Sequence, residues 1–167
     1  MSRGFVKEGD QEEVPYVPPR AYLPPGVINY VTQAGLDALL DERKALMLER
    51  EGLTGQNEND RRVSSNYINA KMVLLDDRIH SARVIKLDDQ PKDEVRFGAT
   101  IRLLIQPSGE SQTLQITGVD EAKSSKGKIS FISPLAKVII NKKVGDKVHF
   151  KRANDEVVYE ICSIEYL

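Results

Sequence analysis

The sequence has one cysteine, no tryptophan and almost no net charge: 24 Lys and Arg against 25 Asp and Glu leave −1 over 167 residues. A lone cysteine, Cys162, excludes a disulfide framework within the chain. Its apolar, alternating surroundings predict a buried strand residue. The two histidines, His80 and His149, stand far apart without a cysteine cluster, which is not the pattern of a structural zinc site. The near-neutral charge excludes a global basic field for gripping nucleic acid, so a nucleic-acid role needs a local patch or a protein intermediary. No apolar run approaches the ~20 residues of a membrane span, and the N-terminus has no apolar core of a secretory leader. These absences predict a soluble, cytoplasmic protein without a membrane partner.

What is present divides the chain into four parts. Residues 1–29 read as an extended arm. Pro15, Pro18, Pro19, Pro24 and Pro25 each remove a backbone donor and disfavour helix in the residue before. Glu8, Asp10, Glu12 and Glu13 keep the arm solvated, and Phe5, Tyr16 and Tyr22 are its candidate anchors. Residues 30–87 read as two helices. Thr32 is a fitting N-cap for the first. Its stripe is Leu36, Leu39, Leu40, Leu46, Met47 and Leu53, with Arg43 and Arg50 in two heptad-like slots, and it runs to about Glu51. Gly52, Thr54, Gly55, Gln56, Asn57 and Asn59 make a turn. Asp60 is the expected N-cap of the second helix, whose stripe of Ile68, Met72, Leu75, Ile79 and Ala82 follows a heptad. A short turn between two such helices predicts an antiparallel hairpin with arms of roughly 30–40 Å at 1.5 Å per residue.

Residues 88–94, with Asp88, Asp89, Gln90, Pro91 and Lys92, form a polar linker. Residues 95–167 read as a sheet domain. Strands are expected over Val95–Ile105, Thr113–Val119, Lys128–Phe131, Val148–Lys151 and Val157–Tyr166. Turns are expected at Ser108-Gly109 and at Ala153-Asn154-Asp155. Ser133 caps a short helix that has Pro134 in its first turn and reaches about Asn141.

Six segments carry a resemblance. They are FGAT at Phe97–Thr100, GVDEA at Gly118–Ala122, GKIS at Gly127–Ser130, SPLAK at Ser133–Lys137, GD at Gly145-Asp146, and YEI at Tyr159–Ile161. In order and spacing they resemble the C-terminal domain of the GreA/GreB family, bacterial factors that bind RNA polymerase. Asn29-Tyr30-Val31-Thr32 with Gly35-Leu36 is similar to the entry of the family's coiled coil. Ser2–Glu8 is similar to the N-terminal extension of GreB-like members. The resemblance implies an α+β fold: an N-terminal antiparallel two-helix coiled-coil hairpin, then an FKBP-like antiparallel sheet with one short helix. That sheet domain would lack isomerase activity, in keeping with the absence of tryptophan to line a proline pocket.

The resemblance also implies a mode of action. The domain would dock at the rim of the polymerase secondary channel, with Asp120, Glu121, Lys126, Ser133, Pro134 and Lys137 as candidate docking residues. The coil would enter the channel, meeting nascent RNA only indirectly. Two acids at its tip would help hold a magnesium ion at the polymerase active site, and the polymerase would hydrolyse its own backtracked transcript. The chain would then be an accessory factor and not an enzyme, a monomer with no cofactor of its own. Magnesium would belong to the polymerase, and oxygen ligands suit that hard cation.

At the tip the match departs. The family pattern places a glutamate three residues after an aspartate. Anchored on Tyr67, this chain offers Asp60 and then Val63; anchored on Glu58-Asn59, it offers Gly55 at the aspartate position. Asp60 and Glu58 are the candidate tip acids, with Arg61 and Arg62 beside them. Both arms also read about one heptad short of typical members, a loss of about 10 Å in reach. Two alternatives therefore stand beside cleavage stimulation: a modulator that occupies the channel without cleavage, and a generic coiled-coil interaction module.

Overall fold

Thr32 and Asn57 start the two long helices, and each does so by satisfying a backbone N–H that no helical carbonyl can reach. The computed structural model describes residues 14–54 and 57–167. Phe5, the acids Glu8 to Glu13, the Ser2–Glu8 stretch, and Gly55 and Gln56 of the expected turn lie outside the described residues.

Strand β1 (Tyr30–Val31) leads directly into α1 (Gln33–Glu51), where the Gly35 N–H donates to Thr32 Oγ1 at 2.9 Å. Helix α2 (Glu58–Ser81) is capped by Asn57, not by the expected Asp60. The Asp60 N–H donates to Asn57 Oδ1 at 2.8 Å, and Asn57 Nδ2 donates to Asp60 Oδ2 at 2.8 Å. Both residue types make good caps, and the turn geometry selects the earlier one. Strand β2 (Arg83–Val84) follows and pairs in parallel with β1.

The two helices bury Leu39, Leu46, Ile68 and Leu75 between them, with Leu53, Met72 and Ile79 at the margins. These are the heptad positions, while Leu40 lies off the seam and is exposed. The two arginines in heptad slots reach across to α2. Arg43 Nε donates to Asp76 Oδ1 at 2.7 Å, and Arg50 Nη1 donates to Asn69 Oδ1 at 3.0 Å. As the α1 residue advances from 43 to 50, its partner falls back from 76 to 69, so the helices are antiparallel. At 1.5 Å per residue α1 and α2 are about 28 Å and 36 Å long.

The second core belongs to a five-stranded sheet. Its strands are β3 (Thr100–Gln106), β4 (Ser111–Thr117), β5 (Lys128–Ser130), β6 (Lys147–Arg152) and β7 (Asp155–Glu165), in spatial order β5-β4-β3-β7-β6. All neighbours are antiparallel except β4 and β5, which run parallel. Helix α3 (Pro134–Ile139) lays Ala136 and Ile139 on a core that includes Ile101, Leu103, Ile116, Tyr159 and Ile161.

Three further expectations, two of strands and one of a helix, need correction. Val95–Ala99 is not strand: Gly98 has φ +87°, and a β-carbon there would lie 2.1 Å from Leu87 Cδ2. The chain must turn closely over Leu87 before β3 can begin, and only glycine allows that approach. Helix α3 stops at Ile139, and Asn141 takes a positive φ of 70°. Cys162 is exposed, not buried. Arg102 faces Ser163 and Leu103 faces Ile161, so Cys162 is the extra residue of a β-bulge.

Candidate functional site

The far end of the hairpin carries the candidate tip acids. Glu58 and Asp60 both lie in the first turn of α2, exposed, where negative charge suits the helix dipole. One Asp60 oxygen is engaged by Asn57 Nδ2. The two acids are two residues apart, so they do not share a helix face; Asp60 and Val63, three apart, do. Val63 is 56% exposed and offers no oxygen. Arg62 donates to Asn59 Oδ1 at 3.3 Å. Among the described residues no group of three or more His, Cys, Asp or Glu side chains is placed to hold a metal. Oxygen donors at the tip suit magnesium in kind, but an octahedral shell needs more of them than these two carboxylates give.

The other end of the hairpin meets the sheet domain in a joint with an apolar and a polar half. In the apolar half Tyr30 of β1 packs against Phe97 and Phe131, with ring centroids 5.6 to 6.0 Å apart across the three rings. In the polar half Glu121 reaches the start of α1. Thr32 Oγ donates to Glu121 Oε2 at 2.6 Å, and Lys128 Nζ donates to Glu121 Oε1 at 2.9 Å. A carboxylate from the sheet domain thus sits at the N-terminus of a hairpin helix, where the dipole favours it. Gly35 makes the room, because a β-carbon there would lie 2.7 Å from Glu121 Oε2. Gly118 does the same on the neighbouring turn, where a β-carbon would lie 2.5 Å from the Tyr30 carbonyl oxygen.

Asp120 is also at this joint, with its side chain 9% exposed. Arg20 Nε donates to Asp120 Oδ1 at 3.0 Å, and Arg78 Nε lies 3.6 Å from Asp120 Oδ2. The other two nitrogens of Arg20 donate to both oxygens of Glu42, at 2.9 and 3.0 Å. The Glu42 hydrogen bond, more than the charge of Asp120, holds the Arg20 guanidinium above its ordinary pKa. Residues 14–29 have no regular structure before β1, and Tyr16 and Tyr22 are exposed. Among the described residues the arm is tied down by Arg20 and by buried Asn29, whose Nδ2 donates to the Arg78 carbonyl and to Ser81 Oγ, both at 3.1 Å, and not by Tyr16 or Tyr22.

The structure thus brings Asp120 and Glu121 together but turns both carboxylates inward. Ser133 Oγ is engaged in capping α3, accepting from the Ala136 N–H at 3.3 Å, and Pro134 occupies the first turn. Lys126 and Lys137 are exposed. Sequence reasoning missed Arg20, Arg78 and Asn57. Arg20 had a signal: it is the one charged residue between Glu13 and Asp37.

Comparison with known proteins places this architecture. A family model described as transcription elongation factor, GreA/GreB, C-term matches residues 90–166. Transcription elongation factor GreA of Desulfovibrio desulfuricans is 32% identical over 150 residues, covering 81% of this chain and 93% of the relative. Transcription elongation factor GreB of Neisseria meningitidis serogroup B is 34% identical over 155 residues, covering 83% and 94%. The chain belongs to the GreA/GreB family of transcription elongation factors. Relatives of either name match to a similar degree, so identity does not single out a GreB-like member. Among solved structures, the prokaryotic GreA/GreB factor from Nitrosomonas europaea aligns over 89% of this chain and 100% of that chain, with a TM-score of 0.43 and 16% identity.

Proposed function

We propose that this chain acts on RNA polymerase from the secondary channel, as an accessory factor in the bacterial cytoplasm, and stimulates cleavage of backtracked transcripts. The observation that carries this reading is the placement of Glu58 and Asp60, both exposed, at the end of the hairpin farthest from the joint. Entering tip first, the hairpin brings carboxylate oxygens toward the magnesium site of the polymerase. The hydrogen bond from Asn57 orients the Asp60 carboxylate and leaves its second oxygen for a cation. The sheet domain stays at the channel rim, with Lys126 and Lys137 available to acidic polymerase surface. Asp120, Glu121, Ser133 and Pro134 act there by shaping the joint and α3. The factor carries no metal of its own and works as a monomer; the hydrolysis is the polymerase's.

A second reading is favoured by Val63. Its exposed side chain stands where the acid sharing a face with Asp60 would be, and the Glu58–Asp60 spacing turns those two apart. On this reading, and with the shorter coil, the hairpin occupies the channel and modulates transcription without cleavage. One experiment separates the two. A backtracked elongation complex from the source bacterium is incubated with wild type, D60A and E58A, and both binding and transcript cleavage are followed. Acceleration by wild type that either substitution abolishes supports the tip acids. Binding without acceleration establishes occupancy alone. Absence of binding overturns both readings and leaves a coiled-coil module for another partner.

A further inference from the structure

We propose that Arg20 is a positioning residue: it clasps the hairpin to the sheet domain and so fixes where the tip points. The consequence for transcription rests on the polymerase reading above; the clasp itself does not.

The guanidinium divides its donors between two bodies. One edge takes Glu42 on α1 in a bidentate pair, and Nε takes Asp120 on the turn after β4. The next residue completes the tie, because Arg78 of α2 donates to the Ala21 carbonyl while its Nε faces Asp120. One short stretch of the arm therefore touches both helices and the sheet domain. Pro18 and Pro19 before it, and Pro24 and Pro25 after it, fix φ and stiffen the strap. Val14, Tyr16 and Tyr22 are exposed, and Val17, Leu23 and Val27 are only half-buried, so among the described residues of the strap Arg20 makes the charged tie to both bodies. A cleft of about 500 Å³, bordered by Pro19, Glu42, Tyr67, Lys71 and Asp120, lies beside the clasp. It leaves room for the hairpin to tilt once the tie is cut. Lysine substitutes only in part, because a single ammonium keeps the charge but does not present a planar fork to two carboxylates at once.

The test measures orientation in the free, full-length protein. Spin labels are placed at the tip, through N59C, and on the native, exposed Cys162 of β7, and the distance distribution is read by pulsed dipolar EPR. The wild-type clasp is expected to give one narrow distribution. R20A is expected to broaden and shift it, R20K to do so partly, and E42Q, a change at an exposed side chain and so expected to leave the fold intact, to broaden it less than R20A. Wild-type distributions in both R20A and E42Q would overturn the proposal, and E42Q alone decides if R20A does not fold. Polymerase binding is measured separately. There R20A is expected to lose apparent affinity in proportion to the fraction of molecules outside the competent orientation. A wild type that does not bind polymerase sinks the functional reading while the EPR result still judges the clasp.

Discussion

Two glycines at the joint differ in what they stand against, and the difference predicts their cost. Beside Gly118 is a backbone carbonyl, which cannot withdraw; beside Gly35 is the end of the Glu121 side chain, which can. G118A is expected to destabilise by about 3 kcal/mol, the upper part of the range for overpacking. G35A is expected to cost only about 1 kcal/mol, since alanine also favours the helix while Glu121 gives up its contacts. Urea midpoints measured side by side check the ranking. Tyr166 offers a pH test. Its hydroxyl donates to the Glu94 carbonyl at 2.6 Å and accepts from the Arg96 N–H at 2.8 Å. Burial raises its pKa above the ordinary 10.0. A folded pKa above the unfolded one means the contribution is complete below about pH 10 and is lost as pH rises toward the folded value. Y166F should flatten that alkaline decline and cost about 1 kcal/mol at neutral pH for the hydrogen bonds removed. Thermal melts from pH 8 to 11 check both.

Among the elements, the hairpin depends on its seam and its caps. Leu75 is fully buried in the seam, whereas Val73 on the same helix is 62% exposed. L75A should therefore cost about 2–5 kcal/mol, and V73A less than about 0.5 kcal/mol, in chemical denaturation. N57A should cost about 1 kcal/mol by removing the cap of α2, and amide exchange should quicken at Glu58 to Asp60. The seam was legible in the sequence because the heptad spacing of Ile68, Met72, Leu75 and Ile79 is a one-dimensional record of a face. The cap was misread because Asn57 and Asp60 are both capping residues, and only the path of the turn chooses between them. Cys162 was misread because a bulge shifts parity without leaving a mark in composition. The candidate tip acids were legible as charges between the two helices, but that both fall in the first turn of α2, and which of their oxygens are engaged, depends on the cap. Arg20 and Asp120 lie 100 residues apart in the chain, and no local pattern links two such distant residues.

Across the molecule, the two hydrophobic cores found among the described residues meet through a joint that is part aromatic and part charged. Thr32 serves both sides, capping α1 and donating to Glu121, so the hairpin and the sheet domain should lose stability together when it is changed. A double-mutant cycle of T32A with E121Q is expected to give a coupling of about 1–2 kcal/mol, and a value near zero would mean that Glu121 is only a surface charge. The order of the sheet has a further effect on how copies of the molecule treat one another. Its two rims are the short β5 and the strand β6, which carries Lys147, Lys151 and Arg152. A second copy approaching rim to rim through β6 would set like charges opposite each other, and β5 offers too few rungs to hold a stranger's strand. The same borders that close the domain thus guard it against stacking into fibres.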